Sequence, residues 1–62
     1  MAKFRIEIEL LDMLVNSTSV WMKIEEAKDI EEAREKAENI MDEISDFNDE
    51  VLPTLRSITP VS

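Results

Sequence analysis

Lys3-Phe4-Arg5-Ile6-Glu7-Ile8-Glu9-Leu10-Leu11 (KFRIEIELL) alternates without a break as far as Leu10. Phe4, Ile6, Ile8 and Leu10 fall on one side, and Lys3, Arg5, Glu7 and Glu9 on the other. A period of two with β-branched and aromatic residues predicts a strand over 3–11 with one wet face. Thr18 to Ala27 repeats the pattern, and a second strand is expected over 19–27. Here Val20, Met22 and Ile24 share one side, and Trp21, Lys23 and Glu25 the other. With the aliphatic sets taken as inward, both are even-numbered. Antiparallel partners share a face, so their residue numbers must then sum to an even value. A two-residue turn at Asn16-Ser17 gives an odd sum and is rejected unless a bulge intervenes. The register pairing Ile6 with Ile24, Ile8 with Met22 and Leu10 with Val20 also sets Glu7 against Lys23 and Arg5 against Glu25. Slipping it by two sets Glu7 against Glu25. Opposite charges favour the first register by a few tenths of a kcal/mol per pair.

That register leaves Leu11 to Ser19 as a long connection containing Leu11, Met13, Leu14 and Val15. Such apolar residues either extend the strands and cover an open end of the core, or form an exposed patch that contacts a partner.

Outward from the strands, Asp29 opens a helix expected over 30–45. Asp29 with Glu32 three residues on is a capping box, and Glu31 and Glu32 suit the positive end of the helix dipole. Ile30, Ala33, Ala37, Ile40, Met41 and Ile44 form an apolar stripe about 100° wide, as a helix laid on a sheet requires. Ser45 to Pro53 reads as a turn, with Phe47, Val51 and Leu52 closing the core at the helix end. A third strand is expected over 54–60. Its facing is open: Leu55, Thr59 and Val61 compete with Thr54, Arg56 and Ile58. Pro53 and Pro60 bracket it, which marks an edge strand. The expected fold is α+β. One domain over 1–62, in the order β-β-α-β, forms a three-stranded antiparallel sheet with one amphipathic helix on one face.

With that order in hand, a resemblance can be stated. Val20-Trp21-Met22-Lys23-Ile24-Glu25 followed by Asp29-Ile30-Glu31-Glu32-Ala33-Arg34-Glu35-Lys36-Ala37 resembles a pattern of short phage and prokaryotic proteins, DpnD/PcfM-like small proteins among them. In it a hairpin feeds a helix that begins (D/S)-x-E-E-A-x-x-K-A. The resemblance covers about half of the chain and carries no catalytic residues. It implies the β-β-α-β shape and a phage or mobile-element setting in which such proteins act by binding.

Composition narrows the chemistry. The chain has 62 residues and a net charge of −8. A chain of this size buries only about 60% of the surface it exposes when unfolded. Disulfides, a metal or a second subunit usually reinforce so small a core. Cysteine and histidine are absent, which leaves oligomerisation. Without His, Cys or Tyr the commonest general bases and the best nucleophile are missing. Without Gly there is no glycine-rich phosphate loop. No catalytic residue, cofactor or metal site is therefore expected. No apolar run of about 18 residues is present to span a membrane, the N-terminus does not read as a signal peptide, and a cytoplasmic location is expected. Seven basic residues against fifteen acidic argue against direct nucleic-acid binding and against an anionic membrane surface.

The charge is concentrated. Ten acidic and two basic residues lie between Asp29 and Glu50, so this segment alone carries −8, while the rest of the chain balances. Glu31, Glu35, Glu38 and Asp42 fall within about 60° on the helical wheel, with neighbours roughly 4–6 Å apart along the axis. Asp46 extends the row if the helix runs on. The spacing is comparable to that of phosphates along a strand, so the row can imitate a nucleic-acid backbone toward a basic protein groove. Its alternative role is a solvated face that keeps the protein soluble. Trp21, read as lying beside Leu11 on the outer face of the sheet, joins Leu11, Met13 and Leu14 as a candidate apolar contact, since tryptophan is enriched at interface hot spots. The expected function is non-enzymatic protein binding. In that reading, an accessory protein occupies the basic surface of a nucleic-acid-handling or defence protein. The alternative is a self-assembly module that forms homo-oligomers.

Overall fold

In the computed structural model, which describes residues 1–61, β1 (Ala2–Asp12) and β2 (Ser17–Ala27) form a long hairpin. Helix α1 (Ile30–Phe47) follows, and β3 (Val51–Val61) completes the sheet. The strand order is β2-β1-β3, with β1 antiparallel to both neighbours. The fold is α+β with the expected β-β-α-β order.

The central strand is the one with the cleanest alternation, and this follows from burial. Phe4, Ile6 and Ile8 of β1 are buried beneath α1, with Ile6 and Ile8 fully enclosed. Each fully buried isoleucine contributes about 1.5–3 kcal/mol. Ala33 and Ala37 on the helix are also fully buried, and their small side chains let the helix backbone approach the sheet. Two clusters result. Phe4, Ala27 and Ala33 form one, and Ile6, Ile8 and Ala37 the other; Ile58 packs against both. Leu10, Trp21, Ile40, Met41 and Leu55 pack around the second.

The hairpin register differs from the expected one by a single residue. Ile8 lies opposite Trp21, Ile6 opposite Lys23, Phe4 opposite Glu25 and Ala2 opposite Ala27. Odd-numbered residues of β2 therefore share the helix-covered face with even-numbered residues of β1. Val20, Met22 and Ile24, expected inward, lie on the open face and are exposed. Trp21, expected outward beside Leu11, packs against the core. The cause sits at the end of β2. The chain runs from Ala27 directly into the helix N-cap at Asp29, and Ala27 is fully buried against Phe4 and Ala33. That contact pins the odd-numbered set of β2 beneath the helix, and an indole then covers more of the core than Val20 or Met22 would. The expected cross-strand ion pairs are replaced by pairs along each strand: Lys23 with Glu25 at 2.9 Å, and Arg5 with Glu7 at 3.9 Å.

The connection is shorter than expected. Leu11 and Asp12 extend β1, Ser17 and Thr18 extend β2, and Met13 to Asn16 form the turn. Asn16 takes the left-handed conformation (φ 52°), which asparagine tolerates better than most residues. Asp12 Oδ1 accepts from the Leu14 amide at 3.0 Å, and the Met13 amide donates to the Glu50 carbonyl at 2.9 Å, tying the turn to the start of β3.

The helix begins as its sequence dictates. Asp29 is the N-cap, its Oδ1 accepting from the Glu32 amide at 2.9 Å, while Glu32 Oε1 accepts from the Lys28 amide at 3.1 Å. The helix ends at Asn48 in extended geometry, whose amide donates to the Ile44 carbonyl. Phe47, expected to close the core, is 93% exposed, and Leu52 lies on the open face; Val51 alone of that trio is half-buried on the helix side. Chain exit at Asn48 turns toward β3 before the Phe47 side chain reaches the sheet.

Strand β3 starts earlier than expected, and its open facing is resolved by a bulge. Leu55 pairs with Ile8 and Ser57 with Glu7, which leaves Arg56 as the extra residue. An inserted residue inverts the alternation. Leu55 and Ile58, which cannot share a face in a regular strand, thus both reach the core. Ser57 Oγ donates to Glu7 Oε2 at 2.9 Å beside the bulge. The prolines lie within β3, and β3 is an edge strand as expected.

Candidate functional site

The outer face of α1 is the most strongly charged surface. Its register is fixed from below. With Ala33 and Ala37 buried and Ile40 and Ile44 partly buried, Glu31, Glu35, Glu38 and Asp42 lie on the opposite side, and all four are exposed. The helix continues to Phe47, so Asp46 extends the row. From Glu31 to Asp46 the row spans roughly 22 Å at 1.5 Å per residue. Among the described residues, the only salt bridges are Arg5–Glu7 and Lys23–Glu25, so none involves this row. The two cations of the segment do not neutralise it. Lys36 Nζ donates to the Glu26 carbonyl at 2.6 Å rather than pairing along the helix, and among the described residues Arg34 makes no salt bridge. No basic residue occupies the last turn. Near the N-terminus a shallow depression of about 180 Å³ is lined by Lys28, Asp29, Glu31, Glu32 and Glu35. Among the described residues, no three carboxylates converge closely enough to hold a metal ion.

The four apolar candidates do not form one surface. Leu11 lies on the open face, partly covered, opposite Thr18 and Leu52. Met13 and Leu14 are exposed in the turn. Trp21 lies on the helix side, where it lines an open apolar groove of about 530 Å³ together with Leu10, Ile40, Ile44, Phe47 and Val51. Lys23 and Glu43 also line this groove. The Lys23 ammonium is held above its usual range by its hydrogen bond to Glu25, then by the charges of Glu25 and Glu43.

Sequence reasoning missed an exposed apolar strip on the sheet. Val20, Met22 and Ile24 stand in a row on the open face of β2, at 49%, 57% and 45% exposure. Ala27 held the missing signal: a small residue next to a helix cap, on the same side of β2 as Trp21, shows which set faces the helix.

Among the described residues, no helix is long and apolar enough to cross a membrane. Comparison of the chain with known protein families, with curated proteins and with solved structures finds no match.

Proposed function

We propose that the protein is a non-enzymatic protein-binding module whose acidic helix face engages a basic, nucleic-acid-handling protein. One observation carries the reading: five carboxylates, Glu31 to Asp46, lie exposed along one side of a helix and take part in no salt bridge among the described residues. A fold selected only for stability gains from oppositely charged neighbours three or four residues apart. Here Glu31–Glu35 and Glu38–Asp42 are like-charged pairs, each costing a few tenths of a kcal/mol. The opposite side of the helix is committed to the core, so the row is available without unfolding anything. A rigid line of negative charge steers a basic partner and competes with nucleic acid for its groove.

The test is a double charge reversal, Glu35→Lys with Glu38→Lys. Both positions are exposed, so circular dichroism should report an unchanged fold. Retention of host proteins on the immobilised protein should be strong at low salt, weak at high salt, displaced by DNA or RNA, and lost in the double variant. Equal retention by the variant would reduce the row to a solubilising face.

A further inference from the structure

The two edges of the sheet are built differently. Strand β3 carries Pro53, Pro60 and the bulge at Arg56, the devices by which proteins stop an edge from pairing with another chain. Strand β2 has none of them. It runs eleven residues without proline or bulge, roughly 37 Å at 3.4 Å per residue, almost the full 39 Å length of the molecule. The helix packs mainly over β3, at the far edge of the sheet from β2, and the acidic row faces away from the sheet. Ser17 to Met22 carry no charge. The single lysine of the strand, Lys23, is held back along β2 by Glu25 at 2.9 Å. On the open face the strand displays Val20, Met22 and Ile24.

We propose that β2 pairs antiparallel with β2 of a second copy, about a twofold axis at Met22, to give a continuous six-stranded sheet. The reading goes beyond the acidic helix face and does not depend on it. Its register follows from the strand itself. Two copies of Ser17–Ala27 overlap over their whole length in only one antiparallel register, and Met22 is its centre. In that register Val20 meets Ile24, Met22 meets Met22 and Trp21 meets Lys23. Glu25 meets Ser19 and Glu26 meets Thr18. Every apolar residue that β2 shows on the open face gains an apolar partner, and no like charges are opposed. Slipping by one residue puts the helices on opposite faces and the apolar strip against charge. Slipping by two sets either Lys23 against Lys23 or Trp21 against Trp21, and shortens the overlap. At the outer end the Glu26 carbonyl already accepts from Lys36, so Ser19 to Glu25, itself centred on Met22, carries the pairing. An interface one strand deep lies at the small end of specific contacts, below about 1,200 Å² in total. The dimer is accordingly expected at micromolar concentration.

The chain has no cysteine, which makes a clean experiment. Met22→Cys places one thiol directly opposite its twin, where opposed Cβ atoms lie about 4.5–5.5 Å apart, close to disulfide spacing. Val20→Cys shares the face and the exposure, but its twin lies about 14 Å away along the strand. Thr59→Cys on β3 is an exposed control far from the axis. Mild oxidation should cross-link Met22→Cys at least about tenfold faster than either control, given that spacing. Sedimentation should show a concentration-dependent dimer of the original chain, little changed by salt or by Glu35→Lys with Glu38→Lys. Met22→Lys should remain folded, as its exposed position allows, and sediment as a monomer. A monomer at several hundred micromolar, or equal cross-linking of Met22→Cys and Thr59→Cys, would overturn the pairing. Faster cross-linking of Val20→Cys than of Met22→Cys would overturn the register, and with it the proposal.

Discussion

Trp21 lies directly opposite Ile8 in the β1–β2 ladder, on the face that the helix covers. Its indole thus shields one of the two fully enclosed isoleucines of the core, and Trp21 is a stability residue before it is a contact residue. Trp21→Asp should lower the stability of the monomer by about 2–4 kcal/mol, from lost burial and a carboxylate set against isoleucine. As the only tryptophan, Trp21 also reports unfolding by its own emission, so urea melts of the original chain can be read by fluorescence and those of the variant by circular dichroism. An unchanged midpoint in Trp21→Asp would mean that the indole does not shield Ile8.

The same pair shows how far the sequence could be read. In β1 one set is aliphatic or aromatic and the other charged, so period and facing coincide, and both were legible. In β2 both sets hold hydrophobic side chains, Trp21 against Val20, Met22 and Ile24. Alternation shows that such a segment is a strand but not which side is inside. Buried Ala27 decides it, through a contact with the next element that no local period contains. The cap at Asp29 and the alanine stripe were legible because helix ends and faces are local. The inverted facing of β3 was not, because a bulge depends on the partner strand. Of the site, the acidic row was fully legible once the helix was placed, whereas the apolar strip on β2 was hidden behind the wrong choice of face.

The bulge at Arg56 makes a sharp prediction. Leu55 and Ile58 both reach the core only because Arg56 interrupts the alternation. Arg56→Ala keeps the residue count and should change stability by less than about 0.5 kcal/mol, as exposed substitutions usually do. Deleting Arg56 removes the bulge and leaves Leu55 and Ile58 two positions apart, so both still face the core in a regular strand that keeps the pairing with Ile6 and Ile8. Ser57 stays opposite Glu7 and can keep its hydrogen bond, so the deletion should cost less than about 1 kcal/mol. In a strand without a bulge it would turn Leu55 or Ile58 to solvent and cost about 2–4 kcal/mol. Thermal melts of the two variants separate the effect of the side chain from that of the extra residue. A deletion variant that melts far below Arg56→Ala would contradict the assigned register.

A second prediction of this kind concerns Ile8. Ile8→Val removes one methylene from a fully enclosed site and should cost about 0.5–1.5 kcal/mol. In a domain of this size each kcal/mol moves the melting temperature by roughly 4–8 °C, so calorimetry resolves the change. The matched change Ile24→Val on the open face should be nearly silent in the monomer. Equal effects at the two positions would argue against the observed facing of β2.

The pH dependence at alkaline values follows from Lys23. Its ammonium is held above the ordinary 10.5 by Glu25 in the folded state. A cation favoured by folding contributes stability that is fully present below the unfolded value and is lost as pH rises through the folded one. The contribution should therefore disappear above about pH 10.5. Lys23→Met removes the titrating group, so its stability should fall less steeply than that of the original chain between pH 10 and 12. Chemical denaturation across that window checks the slope; identical slopes would show that the Lys23–Glu25 pair is not formed in solution.

The helix itself should respond to salt. Its last turn holds no basic residue, while Asp42, Glu43 and Asp46 crowd the negative end of the dipole, where carboxylates are unfavourable by about 0.3–1 kcal/mol each. Glu31–Glu35 and Glu38–Asp42 repel along the outer face, and no salt bridge among the described residues offsets them. Salt screens exposed charges beyond about 10 Å at 0.1 M, so added salt weakens repulsion across the row more than it weakens the short Lys23–Glu25 pair. The melting temperature should rise modestly between low and physiological ionic strength. Asp46→Lys reverses the charge nearest the helix end, and should raise the melting temperature at low salt while flattening its salt dependence. A melting temperature that falls as salt is added would mean that attractive pairs outweigh the carboxylate row, and that the outer face of α1 is not the source of repulsion its spacing implies.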